Sequence, residues 1–468
     1  MLKDRLGRFF CAFDEFLYTP LFPAAVSAFI LAAYILRISL IGLGLLVVIA
    51  CFIMIRKDDI TPLLPLCFGF VCLFRNFDAL KGVAIYLILA PFLISLIYHF
   101  IKFPPKKPVL GKLFFSFFLI TCALFLSGIF SAYLYLYANG LLYAFTVGPL
   151  LWFAYFLFGN YLRPPENFDV KRYLSLSVVC SVLIMCLAFF WACAEQNAGT
   201  GNSVVDGATV GFANTNNVGA MILLAFPLCL FLFVKEENHW FYLVTALFFI
   251  VTILLFRCDG GSGVLLVFSP FMFVLTYLES KKENRGRLLF CLFLFVLVAV
   301  VVLFAVFLVK GYDFITAEFD VRTGESGRSH LYDVAFRLFK ENPLFGAGLG
   351  YSDTDAIGDY APHNCALRIF NFHSTLFQVA GCMGIFGLIA YAVYFYKRYE
   401  IVTENSSVFN VFMFFAFTMF ECYGMIDTCE FNIVPCMLVL TVMLTVTETE
   451  NRKPPLSFEN TINAFVGR

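Results

Sequence analysis

The sequence predicts an all-α fold: a polytopic transmembrane helical bundle of about 12 to 14 spans. Of its 468 residues, 61% are hydrophobic and only 14% are charged, whereas about a quarter of a soluble domain is charged. Mean hydropathy is +0.87. Apolar runs repeatedly reach the roughly 17–25 residues that cross a bilayer. They lack the apolar–polar alternation of a membrane β-barrel.

Composition also limits function. Formal net charge is zero, so no basic face for nucleic acid and no acidic partner follows from the total. Most of the 16 cysteines fall inside apolar runs, where cysteine acts as a small hydrophobe. No CxxC pair is present, which argues against a metal or redox framework.

The spans are expected at 19–36, 38–55, 61–75, 82–100, 113–135, 141–162, 173–194, 218–234, 240–256, 264–279, 288–309, 374–396, 407–425 and 433–449. Lys3, Arg5 and Arg8 precede the first span as a cytoplasmic flank, not a cleaved leader. With both termini inside, the cytoplasmic loops collect most of the 32 Lys and Arg, among them Arg56, Lys57, Lys112, Arg163, Lys235, Lys397 and Arg398. That bias is the positive-inside signature. The chain divides into a first bundle part (1–309), one large extracytoplasmic loop with short helices (310–373), C-terminal spans (374–450) and a cytoplasmic tail (451–468).

The large loop is the most informative segment. It holds His330, His363 and His373 together with Arg322, Arg328, Arg337, Lys340 and Arg368. Arginine offers a planar fork of donors suited to phosphate oxygens; a solvated surface with scattered ion pairs is the bland alternative. Residues 329–340 place Leu331, Val334, Ala335, Leu338 and Phe339 at helical spacing, predicting an amphipathic helix on the membrane surface or against the bundle. Arg337 is on its polar face, Arg328 lies just before its start, and Asn342-Pro343 should end it. The run Gly346-Ala347-Gly348-Leu349-Gly350 lacks the preceding strand of a nucleotide loop. A turn that brings backbone close to a ligand or to the bundle is expected instead. His363 lies in the loop and His373 at the mouth of the next span. Each is an interfacial anchor or a proton acceptor active near neutral pH.

Two further outside features stand out. Asn214, Asn216 and Asn217 open a span, where Asn caps a helix whose N-terminus also favours an anion. Arg257 ends a span before the tight turn 258–263, where it either snorkels or contacts a ligand.

Three ordered motifs then resemble the O-antigen ligase and polymerase family. His373 opens a span that continues to Gly384-Ile385-Phe386-Gly387-Leu388. Gly327-Arg328, a short helix and Asn342-Pro343-Leu344-Phe345-Gly346 resemble the loop segment upstream. Phe212-Ala213-Asn214-Thr215-Asn216-Asn217 is similar to the family's earlier asparagine motif. The sequence departs from the family's usual Ser-Arg-Gly turn, having Arg257 and then Asp259-Gly260-Gly261-Ser262-Gly263.

The resemblance implies glycan transfer from an undecaprenyl diphosphate-linked oligosaccharide at the outer face of a bacterial cytoplasmic membrane. The acceptor would be a glycan or a lipid-linked glycan, and the surrounding lipid is the other partner. Ligase and polymerase activity both fit. It implies His373 and Arg328 as catalytic, with His373 activating the acceptor hydroxyl or holding the diphosphate. Arg322, Arg257, Arg337, Asn214, Asn217 and His363 would bind diphosphate or glycan. No cluster of outside carboxylates suggests a metal, so a reaction without metal or cofactor is expected. A lipid-linked oligosaccharide flippase or other polytopic transporter is the alternative, although a flippase should carry charges inside its spans and these spans read as nearly charge-free.

Overall fold

The computed structural model describes residues 2–73, 83–105, 107–131, 137–200, 210, 214–236, 240–256, 258–310, 328–348, 372–431 and 434–452. Among them are sixteen α-helices. They are α1 (Leu2–Phe16), α2 (Leu21–Ile35), α3 (Ser39–Arg56), α4 (Leu64–Gly69), α5 (Val83–Lys102), α6 (Phe114–Ile129), α7 (Tyr137–Tyr161) and α8 (Val170–Thr200). They continue with α9 (Thr215–Lys235), α10 (Trp240–Leu255), α11 (Asp259–Glu279), α12 (Lys282–Lys310), α13 (Arg328–Glu341), α14 (Thr375–Val402), α15 (Val408–Gly424) and α16 (Val434–Asn451).

Among the described residues six helices are long and apolar enough to cross a membrane: Ser39–Arg56, Val170–Glu195, Thr215–Lys235, Gly260–Glu279, Lys282–Val301 and Thr375–Val402. Shorter apolar helices, such as Phe114–Ile129 and Val408–Gly424, pack between them. Such helices are apolar all round because they face either lipid or other apolar helices. The two environments separate cleanly. α9 is buried along nearly its whole length, at the centre, whereas α12 is almost entirely exposed at the rim.

Ion pairs show that successive helices alternate in direction. At one end of the bundle Asp14 meets Arg56 and Lys57, each at 3.4 Å, Lys235 lies 3.2 Å from Asp169, and Lys112 lies 3.0 Å from both Glu400 and Glu404. Arg172–Glu236 and Arg452–Glu448 pair there too. At the opposite end Arg37 faces Glu195 at 3.6 Å. The first group will be called the basic end and the second the far end.

The segment expected as a span at 61–75 is not one regular helix. Pro62 and Pro65 favour starts of helical turns, and the chain makes a 3-10 turn at Thr61–Leu63, α4, and another at Phe70–Cys72. It nevertheless traverses the bundle. It starts beside Asp59, which accepts from the Thr61 and Arg163 backbone at the basic end (3.1 and 2.7 Å), and finishes where Ser39 Oγ donates to the Leu73 carbonyl (2.7 Å).

One expectation is corrected inside the bundle. Arg398 is not a cation of a cytoplasmic loop. It lies within α14, fully buried, paired with Glu421 of α15 and with Glu430. The spans therefore hold charge in their interior. A lone arginine in the sequence cannot reveal this, because its two partners lie on the following helix and the turn beyond it.

Candidate functional site

α14 carries the centre of the site and is a broken helix. Gly384 has φ 63° and ψ −158°, which interrupts the helical ladder. A break inside an apolar bundle strands backbone donors and acceptors, and each must find another partner. Residues 343–348 supply them. The Ala347 and Gly348 amides donate to the carbonyls of Gly381 and Cys382 (2.9 and 3.0 Å), and the Ile385 and Phe386 amides donate to those of Pro343 and Leu344 (2.8 and 3.2 Å).

The glycines are needed because the two backbones touch. A Cβ on Gly346 (φ 73°) would sit 2.2 Å from the Cys382 carbonyl carbon, and one on Gly384 would lie 2.6 Å from Leu344 backbone. The glycine-rich run therefore serves as a turn against the bundle, one of the two roles its sequence allowed. Beside it α13 runs from Arg328 to Glu341 as its spacing predicts, with Val334, Ala335 and Leu338 buried. Ala335 packs on Gly381, and Tyr332 stacks on Phe377 with ring centroids 4.5 Å apart.

His373 stands immediately before α14, at the far end. Its Nδ1 is 3.0 Å from Oδ1 of Asp427, which follows α15. The imidazole is 34% exposed and the aspartate side chain 6% exposed, so the ring reaches solvent while its carboxylate partner does not. Asp427 is itself fixed: its Oδ1 accepts from the Thr428 amide (2.7 Å) and its Oδ2 from the Tyr423 hydroxyl (3.1 Å). Tyr423 Oη also lies 3.2 Å from the Asn216 carbonyl oxygen and 3.3 Å from Cys258 Sγ. The Tyr332 hydroxyl donates to the His373 carbonyl at 3.2 Å.

This network draws the separate sequence motifs into one place. The asparagine motif contributes the Asn216 carbonyl. The turn after α10 contributes Cys258, the residue next to Arg257. Gly260 permits the approach of α15: a Cβ there would lie 3.1 Å from the Tyr423 ring. α9, α11 and α14 all begin at this end, so their N-termini point positive dipole ends the same way.

The candidate residues divide as follows. Asn214 caps α9, its side chain accepting from the Asn217 amide at 3.0 Å, and Asn217 is largely buried. The capping reading thus holds for Asn214. Arg337 is exposed on α13, and Arg328 forms that helix's first residue, one turn before Tyr332. Arg257, Arg322 and His363 lie outside the described residues, as do the side chains of Arg328 and His330. Asp427 and Tyr423 are the additions. No sequence signal singles them out, since Asp427 sits 54 residues beyond His373 in a short turn between spans. Among the described residues no group of three or more His, Cys, Asp or Glu is placed to hold a metal ion.

A family model described as O-antigen ligase matches residues 259–392. The matched segment contains Arg322, Arg328, Arg337, His363, His373 and the broken helix. Arg257, the asparagine motif and Asp427 fall outside it. A search of curated proteins returns no match to the chain. The fold and this match agree: over residues 259–392 the chain is similar to the O-antigen ligase family, and its long apolar helices are those of an integral membrane protein.

Proposed function

We propose that this protein transfers or polymerises glycans carried on undecaprenyl diphosphate, working at the outer face of the cytoplasmic membrane with its far end exposed there. The observation that carries the reading is the contact of His373 Nδ1 with the buried Asp427 carboxylate. A carboxylate on Nδ1 holds that nitrogen as the donor and leaves Nε2 as the acceptor.

In this reading the acceptor hydroxyl loses its proton to Nε2 as its oxygen attacks the donor's anomeric carbon. The bond from that carbon to the diphosphate oxygen breaks, and the electron pair leaves with the lipid diphosphate. Negative charge therefore grows on the bridging oxygen. Arg328, Arg322, Arg257 and Arg337, together with the α9, α11 and α14 N-termini, would stabilise that charge more in the transition state than in the ground state. We assign the chemistry no metal. Asn214, Asn217 and His363 remain candidates for holding the glycan, Asn214 with its side-chain amide nitrogen, since its oxygen caps α9.

The test uses purified protein in vesicles with a lipid-linked oligosaccharide donor. Wild type should consume the donor. His373→Ala and Arg328→Ala should insert normally and lose on the order of a hundred-fold or more in rate. Wild-type rates in both variants would remove these assignments. The buried Arg398–Glu421–Glu430 cluster favours a second reading as a lipid-linked oligosaccharide flippase. Movement of the donor between leaflets without its consumption would identify that activity.

A further inference from the structure

The charge cluster deep between α14, α15 and the turn 425–431 is not used by the reaction above, and its composition does not balance. Arg398 is completely buried. Its Nη1 lies 2.9 Å from Oε1 of Glu421 and hydrogen-bonds Oε1 of Glu430. Both carboxylates thus crowd onto one nitrogen of one guanidinium. The Glu421 and Glu430 side chains are 7% and 1% exposed.

Other groups face the cluster from each packed element. From α14, Tyr391 donates to Glu421 Oε2 at 3.0 Å, and the Tyr394 ring lies 4.0 Å beneath the guanidinium. The Phe417 ring approaches from α15 at 5.3 Å. Buried Cys429 stands next to Glu430, and Cys436 faces it from α16. None of these supplies a second cation. Arg398 Nε and Nη2 and Glu430 Oε2 are buried without hydrogen-bond partners.

With both carboxylates ionised, the cluster would hold a net negative charge in an apolar bundle, where an uncompensated buried charge is strongly unfavourable. Two carboxylates forced together relieve this by keeping one proton between them. We infer that Glu421 and Glu430 form a membrane-embedded proton-binding site that retains one proton at neutral pH, with Arg398 neutralising the remaining carboxylate. The bound ligand is a proton and not a metal ion, because the Arg398 guanidinium already sits on both carboxylates and its positive charge repels a second cation. The turn that carries Glu430 also carries Asp427 three residues earlier, so this site anchors the segment that holds His373.

Infrared spectroscopy of the whole protein in lipid tests the idea. Wild type, grown with carbon-13 carboxyl-labelled glutamate, should show at neutral pH a protonated-carboxyl band that shifts with the label and with deuteration. The band should lose the intensity of one carboxyl in Glu421→Gln and in Glu430→Gln. Three outcomes would overturn the site: no labelled protonated band in wild type, a band untouched in both variants, or a band that vanishes when sodium is added. The wild-type measurement needs no variant to fold. It is also independent of donor consumption, so it can fail while the glycan reading stands.

Discussion

His373 adopts φ 49°, a left-handed conformation that costs a non-glycine residue on the order of 1 kcal/mol and persists only where neighbours fix it. They do so on both sides. The Tyr332 hydroxyl holds its carbonyl, and the preceding Phe372 amide donates to the buried Gln378 side chain at 3.0 Å. The strained turn aims the ring at Asp427, and this directs two predictions. Asp427→Asn keeps the shape but removes the charge that sets the tautomer, so glycan transfer should fall on the order of 10²-fold to 10⁴-fold. Its thermal midpoint in detergent should stay near wild type. Tyr423→Phe removes one of the hydrogen bonds to that carboxylate, and bonds to charged groups contribute about 1.5–3 kcal/mol. Its turnover should therefore drop by about tenfold to a hundredfold, and a loss of about 10⁴-fold would show that Tyr423 acts directly.

The broken α14 and the 343–348 segment form one structural unit, because each satisfies the other's stranded backbone groups. Gly384→Ala would force a Cβ into Leu344 backbone at a positive φ. The strain alone should cost about 1–3 kcal/mol, read as a lower thermal midpoint and earlier proteolysis within residues 328–348. At Gly387 a Cβ would lie 2.2 Å from Met383 Cβ, an atom the backbone holds in place. Gly387→Ala should therefore lower the thermal midpoint as well. The α13 helix, its Pro343 stop and its buried face were legible in the sequence from apolar spacing. The clasp was not legible, because paired backbone amides leave no side-chain pattern. The glycine-rich run marked only that two chains approach closely.

The helices alternate between a basic end and a far end, with His373, Asp427 and the starts of α9, α11 and α14 at the latter. Cysteine labelling from either side of sealed vesicles checks this arrangement. Arg37→Cys should react from one side and Lys235→Cys from the other, and equal labelling of both from one side would contradict the alternation. Glu448 ties three elements together at the basic end. Almost fully buried, it accepts from the Lys112 amide and from the Tyr155 hydroxyl, both at 2.6 Å, and pairs with Arg452. Glu448→Ala leaves the Tyr155 hydroxyl and the Lys112 amide without their acceptor, at about 1–3 kcal/mol for each buried group, so it should lower the thermal midpoint more than an exposed substitution does.

Hydrophobic run length was enough to predict an all-α membrane bundle, because a bilayer demands long apolar helices. The motif at 373–388 likewise pointed to His373 and the glycines behind it. Chain folding over long separations supplied the rest. The carboxylate against His373 comes from a turn after α15. The tyrosine that fixes it also meets the asparagine motif and the turn after α10. The interior charges pair across two helices. Such contacts depend on which helix faces which, and a helix that is apolar on every side carries no mark of its neighbour.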